Sequence, residues 1–182
     1  FWRGEELRSQ GGIDSPLSRE GAFLANNLAF AAFAFVVLLG TIFPLIVEAL
    51  QDRQISVGAP YFQKMSIPIG FSLLFFMAVA PILPWRKAST ELIRDRIEWP
   101  AWGGVFSLVL AVVLGARGLL PLLGFAFAGF AAASASRHLL ISVRRNKWRG
   151  LIGRSNGGMI VHLGVVALAI GLIASSSYLS QG

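Results

Sequence analysis

Apolar runs of about twenty residues recur along the chain, and charged or turn-forming segments separate them. A helix of about twenty apolar residues crosses the hydrocarbon core of a bilayer. The composition agrees with this, since 55% of the 182 residues are hydrophobic and 14% are charged. Soluble domains carry about 25% charged residues. The runs therefore predict an all-α polytopic membrane protein.

We predict an N-terminal segment at residues 1–20 and a membrane domain at residues 21–178. The five predicted spans are 21–50, 67–85, 99–116, 119–140 and 156–178. As a single helix, residues 99–140 would be about 60 Å long, twice the hydrocarbon thickness. We therefore place a turn at residues 115–118. We also predict a loop at residues 51–66 and a charged loop at residues 86–98. Ser18 is a candidate cap for the first helix, and Pro44 is expected to kink it.

The distribution of lysine and arginine predicts the orientation of the spans. With five spans, only Arg53, Lys64 and Arg117 lie on the side away from the N-terminus, and the other thirteen basic residues lie on the N-terminal side. Cytoplasmic loops carry the excess of basic residues. We therefore predict a cytoplasmic N-terminus and a periplasmic C-terminus, with membrane lipid rather than nucleic acid as the surrounding partner. The chain has no cysteine, which excludes disulfides and thiolate-bound metals within it.

His162 is the one ionisable side chain between Ser155 and Tyr178. A helical rise of about 1.5 Å per residue places it on the order of 10 Å inside the span. An ionisable residue at that depth is costly and is therefore a functional candidate. Helical spacing places four residues on the same side as the imidazole, two of them small: Gly158, Val165, Val166 and Ala169.

A second stripe of small residues on the same helix is rotated away from the histidine and consists of Gly164, Ala167, Gly171 and Ser175. Such stripes let helices approach closely, so we expect this side to pack on a neighbouring helix. From spacing alone, His162 is either a neutral imidazole hydrogen-bonded across a helix interface or an axial ligand of haem iron. His138, at the inner end of the fourth span, is expected to be a solvated interface residue.

No phosphate-binding loop, dinucleotide fingerprint, intramembrane carboxylate pair or nucleophile–base set is visible in the sequence. We therefore assign no catalytic residue. The positive feature is the deep imidazole of His162, and a six-coordinate haem would need a second ligand from outside this chain.

Several motifs resemble the CcmF family, the haem lyase of cytochrome c maturation, and its NrfE-like relatives. In chain order they are Ser18-Arg19-Glu20 with Asn26-Asn27, Leu39-Gly40-Thr41-Ile42-Phe43-Pro44, Ile55-Ser56-Val57-Gly58-Ala59-Pro60-Tyr61-Phe62, Ala80-Pro81-Ile82-Leu83-Pro84-Trp85-Arg86, and Gly157-Gly158-Met159-Ile160-Val161-His162-Leu163-Gly164. They cover nearly the whole chain, with separations similar to those of the family.

The resemblance implies a multi-pass protein of the bacterial inner membrane. The family receives haem from the chaperone CcmE and attaches it to apocytochrome c, together with thiol-handling proteins. It also holds a transmembrane haem b between two histidines, and His162 matches one of these ligands. The other ligand would lie outside this chain, in the remaining N-terminal part of the lyase.

The resemblance also has gaps. The tryptophan-rich periplasmic motif of the family, its flanking histidines and its other haem b ligand have no counterpart here. We therefore expect a fragment, an incomplete chain or a split-gene subunit, which would not attach haem alone. Haem propionates are one possible partner of the Arg144 to Arg154 cluster, and ordinary loop charge is the other.

Two other functions fit a polytopic chain of this kind. One is a substrate-translocating subunit of a transporter, in which Pro44, Pro81 and Pro121 mark broken helices. The near absence of charge within the spans argues against it. The other is a scaffold whose small-residue stripes only assemble partner helices.

Overall fold

A computed structural model describes residues 18–84, 90–147 and 156–179, and it is all-helical in those ranges. The helices are α1 (Arg19–Gln51), α2 (Ala59–Val79), α3 (Thr90–Val113), α4 (Leu119–Asn146) and α5 (Gly157–Leu179). Each is long and apolar enough to cross a membrane. The predicted all-α fold with five such helices is confirmed. Most of the predicted N-terminal segment, residues 1–17, lies outside the described residues.

The turn predicted at residues 115–118 separates α3 from α4. Gly115 and Gly118 have φ angles of 91° and 95°. This left-handed region is open to glycine at little cost. The structure therefore divides the long apolar region into two helices, as predicted from its length.

Two loop predictions were wrong about where the following helix begins. The predicted loop 86–98 gives way to helix at Thr90, and the loop 51–66 gives way to helix at Ala59. Pro60 lies in the first turn of α2, where its missing N–H costs nothing, and Glu91 lies in the first turn of α3, where a negative charge is favourable. The predicted spans were read from hydropathy, which indicates the residues inside the membrane. Helices α2 and α3 themselves begin before those residues, in the polar segments that precede them.

The first helix begins with the predicted cap and runs without interruption through Pro44. The Ser18 hydroxyl accepts a hydrogen bond from the Gly21 backbone N–H at 3.1 Å. Ser18 is fully buried, so water does not replace this bond. The cap therefore fixes the start of α1.

Replacing Ser18 by alanine is expected to lower the free energy of unfolding by about 1 kcal/mol, because the Gly21 N–H loses its acceptor. The measurement is a denaturant titration of the intact protein in detergent, followed by circular dichroism. Ser72→Ala is the matched control, because Ser72 is exposed and bonds only the Pro68 carbonyl of its own helix. An equal effect of both substitutions would contradict the capping role.

The fourth helix is the centre of the bundle. It packs against α2, α3 and α5, while α1 packs against α2. The buried cluster is built mainly from small side chains and consists of Leu74, Ala78, Ala128, Ala131 and Val166. Large apolar side chains are exposed along all five helices, as expected for a surface that faces lipid.

The α3–α4 contact is close because glycine lies on both helices. A Cβ atom added at Gly103 would overlap the Ala133 side chain, and one added at Gly129 would overlap the Ser107 side chain. Ser107 donates a hydrogen bond of 2.8 Å across the interface to the Phe125 carbonyl. Small residues and interhelical hydrogen bonds of this kind hold membrane helices together.

Candidate functional site

His162 lies near the N-terminal end of α5, and one of its ring nitrogens is held by its own helix. Nδ1 lies 2.6 Å from the carbonyl oxygen of Gly158. A carbonyl only accepts hydrogen bonds, so Nδ1 carries the proton. Within the described part of the chain, Nε2 makes no hydrogen bond. In the neutral form with its proton on Nδ1, the ring presents a lone pair at Nε2, as a metal-binding imidazole does.

His162 lines a groove of about 970 Å³ between α1, α2 and α5, which we name the apolar groove. Its other walls are largely aromatic and aliphatic, with Phe30 from α1, Phe71 and Met77 from α2, and Val165 and Ala169 from α5. Concave sites of this size and character bind cofactors and other small molecules. The groove therefore offers an extended apolar surface beside the imidazole.

Two glycines leave open space around the groove. A Cβ atom added at Gly70, in the groove wall, or at Gly158, one turn before His162, would meet nothing within 4 Å. Among the described residues, no cluster of three histidine, cysteine, aspartate or glutamate side chains is present. The groove is thus lined by a single imidazole and by mainly apolar side chains, with Asn26, Gln63 and Ser66 as its other polar residues. This fits one axial position of a haem and does not fit a metal held by several side chains.

The predicted neighbours of His162 separate into two groups. Val165 and Ala169 line the apolar groove, whereas Val166 is buried in the core. The first alternative for the imidazole was a hydrogen bond across a helix interface. The observed hydrogen bond instead stays within α5. That bond leaves the second nitrogen available to a ligand.

Within the described part of the chain, the small-residue stripe of α5 does not pack on a neighbouring helix, contrary to the prediction. Added Cβ atoms at Gly164 and Gly171 would meet nothing within 4 Å, and Ala167 and Ser175 are exposed. Helix α5 instead packs on α4 through the opposite side, where Ile173 contacts Gly124. Because α5 is apolar all round, no polar face marked which side would be buried.

His138 lies in a second pocket, about 520 Å³ in volume, at the end of the bundle where α1 and α3 begin and α2 and α4 end. We name it the basic pocket; its charged or polar lining residues are Arg19, Arg96, Ser134, Arg137, His138 and Arg145. His138 was expected to be solvated, but Nε2 lies 3.2 Å from the Pro81 carbonyl oxygen and the residue is half-buried.

The basic pocket is built around the last carbonyl groups of the α2 end. Arg19 donates to the Pro81 oxygen at 2.9 Å and to the Ala80 oxygen at 3.3 Å. Arg96 donates to the Ile82 oxygen at 3.2 Å. Carbonyl groups at a helix C-terminus lack intrahelical partners and attract cations. This arrangement was not predictable from the sequence, because its arginines come from three distant segments.

The Arg144 to Arg154 cluster is divided by the structure. Arg145 lines the basic pocket, whereas Arg144 is exposed and does not line it. Arg149 and Arg154 lie outside the described residues.

Comparisons with known proteins give several long matches. The chain is 32% identical over 182 residues to the cytochrome c-type biogenesis protein CycK of Bradyrhizobium diazoefficiens, covering 94% of this chain and 28% of that protein. It is 31% identical over 181 residues to the cytochrome c-type biogenesis protein CcmF of Pseudomonas fluorescens, covering 97% of this chain and 27% of that protein. No family model matches the chain.

A solved structure titled cytochrome c heme lyase CcmF also matches. Its TM-score is 0.65 at 31% sequence identity, and the match covers 87% of this chain and 25% of that one. The chain thus spans a little over a quarter of the length of the curated relatives it matches. Both sequence and fold point to the same set of proteins.

Proposed function

Because the chain belongs to the CcmF family of cytochrome c-type biogenesis proteins, we propose that it is part of a haem lyase complex for cytochrome c maturation. In this proposal the chain would hold a transmembrane haem b, with Nε2 of His162 binding the iron. A second ligand would come from outside this chain. The observation that carries the proposal is the imidazole in the wall of the apolar groove, whose Nε2 has no partner among the residues that the structure describes.

The residues around the proposed ligand have separate tasks. The Gly158 carbonyl fixes the tautomer and the rotation of the ring, so that Nε2 is the donor atom. The aromatic and aliphatic walls of the apolar groove exclude water and offer apolar contacts to a flat macrocycle. A bound haem would supply a one-electron redox centre inside the membrane, and the family resemblance assigns to it the reduction of incoming haem.

The wider role follows from the family and is proposed for the assembly that contains this chain. The assembly would take haem from the chaperone CcmE and attach it to apocytochrome c, together with thiol-handling proteins. The excess of basic residues on one side supports a cytoplasmic N-terminus, a periplasmic C-terminus and a place in the bacterial inner membrane. His162 would then lie nearer the cytoplasmic side.

Filling the apolar groove tests the proposal without touching the ligand. Gly70→Leu adds a side chain where the groove is open, so we expect it to lower the haem content of the assembled protein severalfold. The measurement is the dithionite-reduced optical spectrum of protein purified with its native partners, normalised to protein concentration.

Gly164→Leu is the matched control for this experiment. It adds the same side chain to a membrane helix at a position that is equally open but does not line the apolar groove. We expect it to keep the b-type absorbance. Equal absorbance in the two variants would show that the groove does not hold haem, and absence of b-type haem from the unmodified assembly would refute the proposal directly.

A further inference from the structure

The basic pocket is separate from the apolar groove and is not used by the proposed haem site. Four arginines and one histidine line it, and no carboxylate is among its described lining residues. The guanidinium groups of Arg19 and Arg96 bind successive carbonyl groups at the end of α2, those of Ala80 and Pro81 for Arg19 and that of Ile82 for Arg96. Arg137 and Arg145 make no hydrogen bond or ion pair with any described residue. Like charges gathered in this way are stabilised by a bound anion.

A second observation points to a ligand in the same place. Ser134 lines the basic pocket and is only 2% exposed, and its hydroxyl has no hydrogen-bond partner in the described part of the chain. Leaving a buried polar group unpaired costs about 1–3 kcal/mol. A hydroxyl is a suitable donor to an anionic oxygen, so the same ligand that neutralises the arginines would satisfy it.

The position of the pocket indicates what carries the anion. The pocket lies at one end of the membrane helices, and its remaining lining residues are apolar, with Ile82 and Leu83 buried and Ile141 exposed. Leu140, next to Ile141, is also exposed. The lining thus combines cations for a headgroup with an apolar edge for acyl chains. Basic pockets between membrane helices bind anionic lipid headgroups in this way.

We propose that the basic pocket binds the phosphate of an anionic phospholipid, with Arg137, Arg145 and Ser134 contacting the headgroup. Arg19 and Arg96 hold the carbonyl groups at the end of α2 and form the cationic wall behind it. The bound lipid ties together the ends of α1, α2, α3 and α4. This site does not depend on haem.

The test is native mass spectrometry of the intact protein, purified from membranes in a neutral detergent and titrated with phosphatidylglycerol. We expect tighter binding of phosphatidylglycerol than of phosphatidylcholine. Arg145→Gln and Arg137→Gln should each weaken phosphatidylglycerol binding by about fivefold. Ser134→Ala should weaken it too, whereas Arg137→Lys, which keeps the charge, should retain most of the binding.

Arg144→Gln is the matched control, because Arg144 adjoins Arg145 but does not line the pocket. It should bind phosphatidylglycerol as the unmodified protein does. Equal binding by the Arg144 and Arg145 variants, or no preference over phosphatidylcholine, would overturn the proposal. If Arg137→Gln does not purify as a monodisperse helical protein, Arg145→Gln carries the comparison, because Arg145 is exposed in the last turn of α4.

Two further arms identify the source of the anion. Competition by inorganic phosphate at concentrations similar to those of the lipid would assign the pocket to free phosphate and overturn the lipid assignment. His162→Ala should bind phosphatidylglycerol normally. If this variant lost lipid binding together with haem, the anion in the pocket would be a haem propionate and the lipid proposal would fail. If it lost haem but kept lipid binding, the lipid proposal would stand.

Discussion

Replacing His162 by alanine is expected to lower the haem content of the assembled protein by more than tenfold. Loss of a partner that merely orients a metal ligand already costs about 10–100-fold in affinity, and this change removes the ligand itself. The measurement is the reduced-minus-oxidised optical difference spectrum, with total haem determined after extraction into alkaline pyridine. The unmodified assembly should show a b-type spectrum in both measurements.

His138→Ala is the control for this prediction, because it removes the only other histidine of the chain. His138 lies in the basic pocket, with Nε2 near the Pro81 carbonyl, so its loss should leave the haem spectrum unchanged. An unaltered b-type absorbance in His162→Ala would show that the ligand assignment is wrong. Loss of absorbance in both variants would indicate general damage to the fold and would remove the support for His162.

The number of helices was predictable because it depends on length and hydropathy. Residues 99–140 are too long for one bilayer crossing, and the glycines at 115 and 118 supply the positive φ angles of the turn. Ser18 was also predictable as a cap, since a short polar side chain preceded an apolar run. Each of these features depends on residues that are close together in the sequence, so the sequence alone predicts it.

The packing of α5 was not predictable from its own residues. Its small stripe at Gly164 and Gly171 favoured burial on that side, yet the helix packs through Val166 and Ile173. Helix α5 is apolar on every side, so its sequence carries no signal for rotation. The complementary shape of α4, where Gly124 admits Ile173, decides the contact.

The candidate site was predictable only in part. The depth of His162 in an apolar segment identified the imidazole as a functional candidate. The hydrogen bond from Nδ1 to Gly158 depends on the rotamer of the ring within α5, and the groove depends on how α1, α2 and α5 pack together. The basic pocket is less visible still, because Arg19, Arg96 and Arg137 are far apart in the sequence and meet only at one end of the bundle.

Replacing Gly129 by alanine is expected to lower the free energy of unfolding by about 1–3 kcal/mol, the usual cost of overfilling a packed interface. The new Cβ would overlap the Ser107 side chain and come within 2.6 Å of the Gly103 carbonyl oxygen. A backbone oxygen cannot rotate away as a flexible side chain does, so α3 and α4 must separate. Their separation also stretches the Ser107 hydrogen bond to Phe125.

The sign of this effect makes it informative, because alanine is intrinsically the better helix former by about 1 kcal/mol. Gly171→Ala provides the comparison, since an added Cβ there meets nothing within 4 Å and only the propensity gain remains. Denaturant titrations of both variants in detergent, followed by circular dichroism, should therefore move in opposite directions. Stabilisation by Gly129→Ala would mean that α3 and α4 are not in close contact at this position.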